Sequence, residues 1–201
     1  MSKQKLEVDD ITSFKKLVSF FRYTIKPREE KRTTRILGAY DTVLDPEESL
    51  EKECGNSLDK TILASFILDS MFPQYKLNTK TKLRDNEYTA YLVCLKLQDK
   101  LISTYSWLSY KTDMRTFALE THLHMQPRQF EFAKGEKEMV DWYVNEISKP
   151  CMFVDTVSVY RYNPLNKGNQ TIEEFINQVS GENLVKRYQF AKKRQISPIL
   201  I

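Results

Sequence analysis

The chain has two histidines, His122 and His124, in the stretch THLHM. Set one residue apart on a strand they share a face, because side chains alternate with period two. Glu120 falls on the same face and completes the pattern Glu-x-His-x-His. Two imidazoles and a carboxylate can converge on one divalent cation and leave a position open for water. With Glu131 added from a returning strand, that is the ligand chemistry of a metal-dependent hydrolase or nuclease. Against it, the chain has no third histidine and no cysteine close by in sequence. The competing expectation is plainer: the outward face of a half-buried hairpin, with Leu119, Leu123 and Met125 turned to the core.

Other chemistries find little support. Cys54, Cys94 and Cys151 are far apart and show no CxxC spacing, which argues against a structural zinc site. Cys94 and Cys151 stand in apolar runs and read as core packing. The five glycines are isolated, so phosphate-cradling GxxxxGK[ST] and GxGxxG loops are absent, as are GxSxG and HExxH. The expectation is a protein without cofactor and, on balance, without enzymatic chemistry.

Charge says more than motif. The net balance is only +4, but the bases are clustered. Lys15, Lys16, Arg22, Lys26, Arg28, Lys31, Arg32 and Arg35 crowd residues 1–40, a basic N-terminal helix and its extension. Lys186, Arg187, Lys192, Lys193 and Arg194, interleaved with Tyr188 and Phe190, make a basic tail over 182–201. Lys and Arg at this density, with aromatics between them, suit phosphate contact plus base stacking. Between them, 41–59 is acidic and reads as an exposed loop, with a short helix from Pro46.

These residues need elements to hold them. Over 9–26 the apolar residues Ile11, Phe14, Val18, Phe21 and Ile25 recur at helical spacing, with Asp9 or Asp10 as cap and Pro27 as stop. Its Phe-rich stripe bordered by bases also suits a membrane surface, and Phe20, off the stripe, suggests a two-sided helix. Ser57 can cap a second helix that Pro73 closes, and 75–83 alternates as an edge strand. The tract 86–110 fits either one buried helix or two strands joined at Gln98-Asp99-Lys100. From 116 to 133 the alternation predicts a β-hairpin, followed by a helix over 136–148 and a strand over 151–162. Thr171 and Glu174 form a capping box for a last helix, which Gly181 ends.

The elements add up to an α+β fold in one domain, 1–201: a helical N-terminal half, then an antiparallel sheet with covering helices. MSKQKLEVDD has no apolar signal core and no run suits a transmembrane span, so a cytoplasmic protein is expected, with the nucleus as the other compartment. The functional expectation is a binding or assembly protein. It would contact nucleic acid or another anionic partner, such as an acidic protein, through its basic ends and self-associate, as in a small viral structural or accessory protein. The alternatives are the metal-dependent enzyme and a peripheral membrane-surface protein.

Overall fold

The computed structural model describes residues 8–28, 42–71, 76–77, 87–112, 115–120, 128–148, 154–164, 170–181 and 183–190. Its helices are α1 (Phe14–Tyr23), α2 (Pro46–Glu51), α3 (Ser57–Met71), α4 (Glu136–Ser148) and α5 (Ile172–Ser180). Short strands are β1 (Lys26–Pro27), β2 (Thr42–Val43), β3 (Cys54–Gly55), β4 (Lys76–Leu77) and β10 (Gln170–Thr171). The long ones are β5 (Glu87–Leu97), β6 (Lys100–Thr112), β7 (Arg115–Glu120), β8 (Arg128–Phe132), β9 (Thr156–Tyr162) and β11 (Leu184–Gln189).

The tract 86–110 forms two strands. β5 and β6 pair antiparallel and meet at Gln98 and Asp99, whose φ values of 50° and 62° suit a tight hairpin turn. The main sheet runs β11-β9-β5-β6-β7-β8, with every neighbouring pair antiparallel; β4 adds a short parallel contact to β5. The fold is therefore α+β, and the hairpin expected over 116–133 is β7–β8.

Helices cover both faces of this sheet. β5 is apolar at both parities, the composition of a strand buried on two sides. Its Tyr88, Ala90, Leu92 and Cys94 pack with residues of α1, α3 and α5. Tyr91, Val93 and Leu95 point the other way, toward Met139, Val140, Tyr143 and Val144 of α4. On that second face Trp107 lies between two parallel rings: Tyr143 at a centroid distance of 3.9 Å and Tyr91 at 5.2 Å.

Four local expectations need correction. α1 is capped by Ser13, whose hydroxyl accepts the Lys16 N–H at 3.3 Å, while Asp9 and Asp10 lie in a preceding 3-10 turn. Its buried face is Leu17, Phe20 and Phe21, so Phe20 is a core residue. The stripe turns by about one residue because the helix packs into the core on the 17/20/21/24 row. The apolar face that suggested a membrane surface is thus used by the core. α3 is capped by Asn56, which accepts from the N–H groups of Leu58 (2.8 Å) and Asp59 (3.0 Å). Ser57 instead accepts the Ser106 N–H of β6 at 3.3 Å, tying the helix to the sheet.

The fourth correction concerns Asp59, expected on an exposed acidic loop but wholly buried. One carboxylate oxygen accepts the Leu44 N–H at 2.9 Å, and the other accepts the Asn56 N–H at 3.0 Å, closing a reciprocal cap. Arg28 stands 3.7 Å from the second oxygen and donates to the Thr42 carbonyl at 2.7 Å. Elsewhere in the acidic tract Glu47 and Glu51 are exposed, Asp45 caps α2, and Glu48 pairs with Lys52 at 2.9 Å. α5 carries the expected capping box, with Thr171 and Glu174 each bonded to the other's backbone N–H.

Removing the Asp59 carboxylate leaves two amide donors and a cation without their acceptor. Asp59→Ala should lower unfolding stability by about 3 kcal/mol in urea titration. Arg28→Ala should cost less, about 1 kcal/mol, because its side chain is partly in water.

Candidate functional site

Glu120 sits at the end of β7, and the register decides its neighbours. β7 and β8 pair Glu120 with Arg128 and Phe117 with Glu131. Facing residues in a ladder share a side of the sheet, so Glu120 and Glu131 lie on opposite faces. Glu131 instead meets Arg115 at 3.1 Å. His122 and His124 lie outside the described residues. The expected wet face is overturned here: Ala118 and Glu120 are both 0% exposed, because α4 covers the side of β7 that alternation alone assigned to solvent.

Within that closed environment the Tyr105 hydroxyl donates to Glu120 at 2.5 Å. Burial first, then the negative charge of Glu120, pushes the Tyr105 pKa well above its ordinary value. Lys60 of α3 lies within electrostatic reach of Glu120, Cys54 and Asp59 and is only 3% exposed. Burial lowers its pKa to about 8, and the surrounding negative charges oppose that shift. Gly55 makes room for this packing, since a Cβ there would come within 3.0 Å of the Asp59 Cβ and 3.3 Å of the Lys60 Cγ. Among the described residues no group of three or more His, Cys, Asp or Glu side chains could hold a metal ion. The negative charge of Glu120 acts on Lys60 through the interior of the fold.

No motif singles out Lys60, although the sequence carries a signal for it. Apolar residues surround α3 from Leu58 to Leu68, so the helix has no wet side near its start for a lysine to occupy. Cys94, read as core, is buried, and burial pushes its thiol up to about 12, which keeps it protonated. Cys54 is half-buried, and Cys151 lies outside the described residues.

The basic candidates separate into three groups. Lys15, Lys16, Arg22 and Lys26 are exposed, and the Arg22 guanidinium stands 5.9 Å from the Tyr23 ring, itself 42% exposed. Arg28 turns inward to Asp59 and Thr42, as described above. Lys186 and Tyr188 converge on Asp141 of α4: Lys186 donates at 2.8 Å and the Tyr188 hydroxyl makes a short hydrogen bond. Those two hydrogen bonds hold the Asp141 carboxyl below its usual range. Arg187 is exposed. Lys31, Arg32, Arg35, Lys192, Lys193 and Arg194 lie outside the described residues. α1 packs over one sheet face and Lys186 and Tyr188 reach α4 over the other, so of the described bases of β11 only Arg187, one residue on from Lys186, lies toward the α1 side.

Lys60 yields a pH prediction. Its native pKa lies below the value of about 10.4 for an unfolded lysine, so between pH 8 and 10 the unfolded chain binds more protons. Stability attributable to Lys60 therefore rises with pH through that window. Comparing urea unfolding of the wild type with Lys60→Met should show a difference that shrinks by about 2–3 kcal/mol over this range. No helix among the described residues is long and apolar enough to cross a membrane. No protein-family model matches the chain, and no curated protein matches it either.

Proposed function

We propose that the protein acts by binding, and that it engages single-stranded nucleic acid through the outer face of α1. The observation that carries this reading is the way the helix is fixed. Leu17, Phe20 and Phe21 are buried, which commits Lys15, Lys16 and Arg22 to the outside, and Lys26 follows directly. The helix, FKKLVSFFRY, contains three bases and no acidic residue. Exposed Tyr23 adjoins this charge and offers a ring on which a base can stack, with Arg22 beside it. Lys and Arg supply sequence-independent phosphate contacts, and the rigid helix sets their spacing. Lys31, Arg32 and Arg35 extend the basic sequence, and Lys192, Lys193 and Arg194 provide a second basic segment. Arg28, Lys186 and Tyr188 are left out of the interface, since each is held by an acidic side chain of the fold.

Binding of a labelled oligouridylate should weaken steeply with salt. The triple variant Lys15→Ala, Lys16→Ala, Arg22→Ala should reduce the slope of log K against log salt by about 2, at roughly 0.7 for each phosphate no longer neutralised. Tyr23→Ala should lower affinity by roughly tenfold with the slope unchanged, because stacking releases no counterions. A protein that fails to bind the oligonucleotide at about 50 mM salt would refute the proposal.

A further inference from the structure

We infer that β11 is a docking edge, at which an acidic extended segment of another protein adds to the sheet as a further strand. β11 closes the sheet on one side and, among the described residues, is paired only with β9. The ladder pairs Lys186 with Val159 and Tyr188 with Val157. The Phe190 N–H donates to the Asp155 carbonyl at 2.9 Å, which puts Phe190, Tyr188 and Lys186 on the hydrogen-bonded side of the antiparallel alternation. The N–H and C=O groups of Arg187 and Gln189 therefore point away from β9, along the open edge. They form a row of donors and acceptors spaced for an incoming extended backbone.

Natural edge strands are commonly protected by brevity, proline or inward-pointing charge. β11 has no proline in LVKRYQ; its Lys186 turns to Asp141 of α4, while Arg187 is exposed. Leu184 is 48% exposed, and Arg187 and Gln189 are exposed too, so the edge is accessible among the described residues. Asp141 anchors Lys186 and Tyr188 from the α4 side, which keeps the strand extended and its outward groups aligned before a partner arrives.

Charge selects the occupant. In NLVKRYQF Lys186 is already paired with Asp141, so Arg187 is the base that this edge presents, with no acid beside it in the segment. A second copy would set Arg187 against its own kind along a short edge. An acidic strand would meet it with opposite charge, because a carboxylate opposite Arg187 would lie on the same face as its guanidinium. Alternate positions of the partner would then face Tyr188, where an apolar side chain suits the ring.

The test uses the full chain and a capped, fluorescent peptide of alternating Glu and Val, with an alternating Lys and Val peptide as control. The acidic peptide should bind by anisotropy and the basic one should not. Hydrogen exchange at the Arg187 and Gln189 amides should slow on binding while the Tyr188 amide, already bonded to β9, changes little. Gln189→Pro removes one outward N–H that the β9–β11 ladder does not use and should abolish binding; Arg187→Glu should weaken it by about tenfold or more. Equal affinity for the two peptides, or binding of the acidic peptide without protection at Arg187 and Gln189, would overturn the inference. So would protection at those amides in peptide-free protein that sediments as a dimer, which would give the edge to a second copy. Protection produced by the oligouridylate instead would assign it to nucleic acid and equally refute the peptide. If Gln189→Pro does not fold, the exchange measurement on the wild-type chain still decides.

Discussion

A single carboxylate joins segments that lie outside the main sheet. Asp59 takes amide hydrogens from Leu44 and Asn56 and faces Arg28, so the chain after α1, the chain before α2 and the start of α3 meet at one atom group. Each contact is local and modest, but they are mutually dependent. Burial raises the pKa of Asp59, while the two amides and the guanidinium pull it back down. The cap of α3 depends on the same oxygen that Arg28 faces. That cap in turn sets where Ser57 reaches β6 and where Lys60 lies relative to Glu120. A base that the sequence offers to an external partner is thereby committed to the fold.

The two-sided cover of the sheet explains most of the remaining polar chemistry. With helices on both faces, several polar side chains of β5, β6 and β9 meet partners inside the fold. The Tyr91 hydroxyl and the Arg161 Nε share Glu136, at 2.7 Å and 2.9 Å. Ser106 and the Tyr162 hydroxyl lie 2.6 Å apart. The basic side chains of α1 and β11 meet water at the periphery, and both binding proposals fall there for that reason.

Much of this was legible from residues alone. The capping box at Thr171 and Glu174, the stripe of α4 and the alternation of β7 and β8 report local rules that tertiary packing did not override. The orientation of Glu120 was not legible, because period-two alternation says which residues share a face but not whether a helix covers that face. Asp59 was hidden for a related reason: it ends a run of acids of which Glu47 and Glu51 are exposed, and its burial depends on Leu44 and Arg28, distant in sequence. The tract 86–110 was ambiguous because a strand buried on both sides loses the alternation that identifies strands. As for the candidate site, the exposed bases of α1 could be read directly. The capture of Arg28, Lys186 and Tyr188 could not, since each acidic partner comes from another element.

The strand order has a consequence for synthesis. β5, β6, β7 and β8 are neighbours in the chain and in the sheet, so they can pair as they leave the ribosome. The other edge of β5 receives β9, whose last residue, Tyr162, is made long after Leu97. Until then AYLVCL presents an apolar, unpaired edge to whatever surrounds the nascent chain. The protein's exposure to misassembly is therefore concentrated in the interval of translation between the end of β5 and the end of β9. Slowing elongation within it, rather than weakening the finished fold, would lengthen that exposure.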